Sequence, residues 1–221
     1  MKVLALDVST STTGFAVVDS NLKLLEYGQF TIKDRTLSDT MYTVEITDKA
    51  LALTEKYKVD AIIIEDIFCI DPKVFRRWAR VHGGMAITWY KKSKKEPVFM
   101  MAVSARPKTN ISGKASKIEV QLEISKRYNL VDKAIYSKYL KAFNTLVEEK
   151  ENKYKSIEKE IKDKKKQAEE KKKITGKFKY AVSKLSGEFE KNGGISEHVA
   201  DSVVLGIAYF KAKEKEELGA V

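Results

Sequence analysis

Four side chains of this 221-residue chain have the types and settings to handle a divalent cation. Asp7 stands inside the apolar run KVLALDV (2–8), flanked by Leu6 and Val8. Glu65 closes the run VDAIIIE (59–65), with Asp66 beside it. Asp201 lies in HVADSVVLGIAY, three residues after His198. A carboxylate drawn into an apolar strand costs several kcal/mol unless it is paired or binds a metal. Hard cations such as Mg2+ and Mn2+ are held by such oxygens. Two ions about 4 Å apart can serve both the attacking water and the leaving oxygen of phosphodiester hydrolysis. The plainer alternative makes Asp7 a turn or capping residue and Glu65 a surface charge at a strand end.

Elements must bring these side chains together. Residues 2–8, 14–19, 23–32 and 59–65 read as strands. The first three form an antiparallel meander, and the continuous Ile run of the fourth suits a central strand buried on both faces. A helix over 39–57 would bury Met41, Val44, Ala50, Leu51, Leu53 and Tyr57. Pro72 opens a helix running to about Lys91. Residues 98–104 (VFMMAVS) read as a further strand, 106–113 as a polar loop and 114–128 as a helix. Ser196 caps a last helix, 197–215. The order indicates an α/β fold: a mixed five-stranded sheet flanked by helices.

Composition shifts at about Asp132. From Lys133 to Lys179, Lys and Glu dominate, and Leu140, Phe143, Val147, Lys150, Tyr154, Ile157, Ile161, Lys164 and Ala168 follow a 3–4 spacing. The segment is one long helix or two folded as a hairpin. Gly187, Gly193 and Gly194 mark a loop after it.

The formal net charge of +11 favours a polyanionic partner, nucleic acid before a membrane surface. No run approaches the roughly 18 apolar residues of a membrane span, and the N-terminus lacks a secretion signal. A cytoplasmic location, with no membrane partner and no small-molecule cofactor, is expected. The single cysteine, Cys69, sits beside an apolar run and reads as a buried, reduced small hydrophobe.

Taken in order, the motifs resemble the RuvC family of Holliday junction resolvases, in particular its phage-encoded branch, within the RNase H-like superfamily. They are Leu6-Asp7-Val8-Ser9-Thr10-Ser11-Thr12-Thr13-Gly14, Ile64-Glu65-Asp66-Ile67-Phe68, Val81-His82-Gly83-Gly84, Gly113-Lys114-Ala115-Ser116-Lys117 and His198-Val199-Ala200-Asp201. The resemblance covers roughly 1–130 and 195–212. It implies an RNase H-like core over 1–132 and 190–215, with 133–189 a lysine-rich helical insertion that has no family counterpart. It further implies a homodimer that nicks branched DNA, four-way junctions above all, using Mg2+ or Mn2+, two ions per active site.

Asp7, Glu65, Asp201 and His198 would be the metal-side residues, and they and Lys117 the catalytic set. Many members carry Asp where His198 stands, which leaves metal ligation and acid/base work both open for it. Phe68 falls where the family has an aromatic that unstacks bases; plain core packing is its alternative. Lys114 and Lys117 would touch phosphates, or else be solvated loop charges. The helix after Pro72 offers Arg76, Arg77 and Arg80 for phosphate contact, with Trp78 and Trp89 as core or dimer interface. The lysine-rich segment offers further backbone contact. Two other classes share the opening motif or the basic charge: an actin-like or sugar-kinase-like nucleotide-binding fold, and a non-catalytic nucleic-acid-binding protein.

Overall fold

The computed structural model describes residues 1–9, 12–34, 36–67 and 71–219, the side chains of 73 and 217–219 excepted. The chain forms two compact units, Met1–Lys114 with His198–Val221, and Ala115–Glu197.

The first unit is built on one sheet. Its strands are β1 (Lys2–Val8), β2 (Thr12–Asp19), β3 (Leu24–Thr31), β4 (Ala61–Glu65) and β5 (Val98–Met100), in the order β3-β2-β1-β4-β5. β1 pairs antiparallel with β2 and parallel with β4, so the meander and the crossover strands meet at the centre. Side chains alternate along a strand, and both faces of β1 are covered. Leu4, Leu6 and Val8 join Phe15, Val17, Ile62 and Ile64 against α1 (Asp39–Tyr57) and α2 (Pro72–Ser93), which contribute Tyr42, Ile46, Ala50, Leu53, Val81, Met85 and Trp89. Val3, Ala5 and Asp7 point to the opposite face, where α7 (Glu197–Gly219) lies. A Cβ on Gly206 of α7 would sit 2.8 Å from Val18 and 3.6 Å from Ala5, so glycine is what lets this helix come down onto β1 and β2.

Several expectations are corrected. On α1, Met41 and Val44 are exposed, and Tyr42 and Ile46, one and two residues further on, hold the buried positions. The strand expected over 98–104 stops at Met100. There α3 (Ala102–Lys108) begins, because Ala102 and Ala105 are buried at a helical spacing of three. The loop expected from Arg106 therefore starts inside a helix. The helix expected from Lys114 begins at Lys117: Glu119 accepts from both the backbone N–H and the hydroxyl of Ser116, a cap that fixes where α4 (Lys117–Tyr128) starts.

In the second unit, residues 133–191 form a hairpin of α5 (Lys133–Glu160) and α6 (Lys164–Lys191), each about 42 Å long. Asp163 caps α6 by accepting from Lys165 and Lys166 N–H groups. The 3–4 seam holds from Leu140 to Ile161; beyond the turn, Lys164 and Ala168 are exposed. Gly187, expected in a loop, lies within α6. Gln121 of α4 is fully buried, donating to the Ile195 carbonyl and accepting from Ser186 Oγ. No helix among the described residues is long and apolar enough to cross a membrane.

Candidate metal centre

The parallel register places Leu6 opposite Ile64 and Ala5 opposite Ile63. Asp7 and Glu65 come one step further along neighbouring strands, and paired residues of parallel strands share a face. Both carboxylates therefore stand at the C-terminal ends of their strands on the side covered by α7. On α7, His198, Asp201 and Ser202 are spaced i, i+3 and i+4, which puts them on one face of its first two turns.

One glycine makes the meeting possible. Gly14 pairs with Asp7 across β1 and β2. A Cβ there would lie 2.2 Å from the His198 carbonyl oxygen and 2.3 Å from its carbon. With no Cβ in the way, the backbone of α7 descends until His198 Nδ1 is 2.7 Å from Asp7 Oδ2. Ser202 ties the same corner: its Oγ donates to the His198 carbonyl at 2.8 Å and accepts from the Asp7 N–H at 3.1 Å.

Glu65 reports how closely the acids approach. Burial, then the Asp7 charge and a side-chain hydrogen bond with Asp7, then the Asp201 charge, hold its carboxyl well above the ordinary carboxylate range. Arg106 on α3 works in the opposite direction on Glu65 and pairs in bidentate fashion with Asp201. Its Nε is 3.2 Å from Oδ1, and its Nη2 is 2.9 Å from Oδ1 and 3.0 Å from Oδ2. Among the described residues, no three His, Cys, Asp or Glu side chains form a ready-made cage for an ion. Asp201 is drawn towards Arg106 and Asp7 towards His198. The donor set is nevertheless hard oxygen plus one imidazole, the chemistry that suits a hard divalent cation.

Asp7, Glu65, His198 and Asp201 are thus gathered in one unit. The other expected site residues take no part in these contacts. Lys114 is exposed on the loop before α4, and Lys117, the first residue of α4, is ion-paired with Glu197. Arg76 is exposed and donates to the Pro72 carbonyl. Arg77 and Arg80 both pair with Asp39, and Arg77 lies over the Tyr42 ring. Trp89 is core. Phe68 and Cys69 lie outside the described residues. Sequence reasoning missed Arg106 and Ser202, and it did not foresee the burial of His82. His82 is buried, its Nε2 has no hydrogen-bond partner, and burial pushes its pKa down to about 4. For Arg106 the available signal was a lone arginine following small residues in helical spacing.

Sheet order and acid placement define an α/β chain with a carboxylate-rich centre at strand ends. Comparisons with known proteins then point to one family. The crossover junction endodeoxyribonuclease RuvC of Aliarcobacter butzleri (strain RM4018) is 34% identical over 91 residues, 39% of this chain and 58% of that relative, so the match spans less than two thirds of the relative's length. The structure of Thermus thermophilus RuvC superposes with a TM-score of 0.58 at 12% identity, covering 97% of each chain. T. thermophilus RuvC in complex with a Holliday junction substrate gives 0.57 at 11% identity, covering 97% of this chain and 96% of that one. No protein-family model matches the chain. The chain has the RNase H-like fold of RuvC, as the motifs led one to expect, and the resemblance to the RuvC family holds in sequence as well as in fold.

Proposed function

We propose that this chain is a RuvC-family, structure-selective endodeoxyribonuclease of the phage type. It would nick Holliday junctions, with three-way junctions and forks as further substrates, by metal-dependent phosphodiester hydrolysis. The observation that carries this reading is geometric: the parallel register of β1 and β4 sets Asp7 beside Glu65 at their strand ends, and Gly14 lets α7 come close enough to bring His198 within 2.7 Å of Asp7. Asp201 lies on the face of α7 that carries His198, and His198 Nδ1 donates to Asp7 Oδ2.

Asp7, Glu65 and Asp201, with His198, would hold Mg2+ or Mn2+, two ions per site. When bound, such ions activate water and stabilise the leaving oxygen. The chain's own residues do the rest. With Nδ1 directed at Asp7, a neutral His198 carries its proton there, and Nε2 becomes the ring's basic nitrogen, available for ligation or for proton transfer. Ser202 fixes the backbone of both partners. Lys114, Lys117, Arg76, Arg77 and Arg80 supply phosphate contacts, Phe68 stacks on a splayed base, and the surplus of +11 favours a polyanion. Homodimerisation, two paired nicks and a cytoplasmic location belong to the same reading. The nuclease core then comprises 1–132 and 190–215, with 133–189 an inserted arm.

The test is cleavage of labelled four-way, three-way, flap and linear duplexes with Mg2+ or Mn2+, by wild type and by Asp7→Asn. Paired nicks in branched substrates that vanish in the variant are expected. Tight binding without cutting under either metal would overturn the catalytic reading and leave a branched-DNA-binding module.

A further inference from the structure

We infer that Arg106 is a built-in counter-cation of the acidic centre, engaging Asp201 until a divalent ion displaces it and thereby setting the affinity for that ion. The inference rests on the metal-centre reading above. It stands on geometry: the guanidinium reaches both oxygens of Asp201, at 2.9 and 3.0 Å from Nη2, with Nε adding a third contact at 3.2 Å. The pair is largely withdrawn from water, its side chains 14% and 13% exposed. Water therefore screens this pair less than a surface pair. The charge of Arg106 also reaches Glu65, where it opposes those of Asp7 and Asp201. Arg106 thus acts on two of the three carboxylates that would bind metal.

Two consequences follow. An incoming cation must compete with a planar fork that matches a carboxylate in bidentate fashion. The same fork relieves carboxylate repulsion while no ion is bound, so the metal-free fold depends on it. Arg106 sits in the last turn of a seven-residue helix, where Thr109 donates to its carbonyl through both backbone N–H and hydroxyl, so the backbone is held while the long side chain can swing away.

The experiment titrates Mn2+ alone, without DNA, into wild type, Arg106→Gln and Arg106→Lys. Calorimetry gives the dissociation constant, and melting temperature is followed with and without ion. Arg106→Gln is expected to bind Mn2+ about tenfold tighter or more. It should melt lower without metal and gain more from metal than wild type does. Arg106→Lys keeps the charge but loses the fork and is expected to fall between; it carries the test alone if the Gln variant does not fold. Wild type that binds Mn2+, with variants binding equally or more weakly, would overturn the inference while leaving the metal centre intact. Absence of binding by wild type and variants alike would overturn the metal centre itself, and the inference with it.

Discussion

The substitution Gly14→Ala tests how the centre is assembled, because the clash it creates can be sized. The new Cβ would stand 2.2 Å from the His198 carbonyl oxygen, 2.3 Å from the carbonyl carbon and 2.8 Å from its Cβ. Ordinary contact begins at 3.4 Å, so backbone must move by about 1.2 Å. Two of the three atoms met are backbone, and no rotamer change relieves those contacts. Either β2 bows at its pairing with Asp7 or the first turn of α7 lifts, and both paths pull His198 away from Asp7, now 2.7 Å distant. A displacement of about 1 Å at a catalytic group costs on the order of 10²-fold in rate. Overpacking costs about 1–3 kcal/mol of stability, only partly offset by the lower chain entropy of Ala. Under the proposed nuclease function, the assay is the single-turnover nicking rate on a four-way junction at saturating Mn2+, beside junction affinity in metal-free buffer and a melting curve. A fall of about 10² in rate with junction affinity retained is expected. A variant that nicks at the wild-type rate and melts at the wild-type temperature would refute the claim that this glycine sets the height of α7.

The remaining predictions are shorter. Gly176→Ala, at a position inside α6 where a Cβ meets nothing within 4 Å, should raise stability by about 0.5–1 kcal/mol in chemical denaturation; a loss would mean that α6 does not run through it. Gln121→Leu should cost about 1–3 kcal/mol, since it strands the Ile195 carbonyl and Ser186 in a buried site, and an unchanged melting curve would contradict that. His82 gives a pH dependence of definite sign. Its pKa falls from 6.5 to about 4 on folding, so the unfolded chain binds the extra proton, and stability present above pH 6.5 drains away as pH falls towards 4. The loss from this group is roughly 3 kcal/mol, and His82→Leu should flatten the stability–pH curve over that window; parallel curves for the two proteins would discount it.

How much of this was legible in the sequence depends on the range of the interaction that decides each feature. The central strands were readable because burial on both faces leaves β1 and β4 apolar throughout, and Asp7 and Glu65 stand out against that background. That His198 and Asp201 share a face of α7 was readable because a spacing of three on a helix is a local fact. The start of α3 was not, because VFMMAVS is as good a strand by composition as it is a helix; burial of Ala102 and Ala105 decides it, and that depends on tertiary packing. The continuation of α6 through Gly187 was hidden for the same reason. Gly costs a helix only about 1 kcal/mol, and Val182, Leu185, Ser186 and Phe189 are buried around it.

Charge shows the limit most clearly. The sequence counts Arg77, Arg80 and Arg106 alike, yet the fold gives them different work. Arg80 meets Asp39 with 64% of its side chain exposed, and a surface pair of that kind is worth about 0–1 kcal/mol. A phosphate can draw Arg80 away at little cost, so this pairing is compatible with the proposed phosphate contact. Arg106 meets Asp201 with both side chains mostly buried, and the exchange there needs a partner that replaces the guanidinium charge in the same place. A divalent cation does so; a backbone phosphate, being an anion, does not. On the proposed reading the two arginines would answer to opposite ligands, and what separates them is burial together with the bidentate geometry at Asp201.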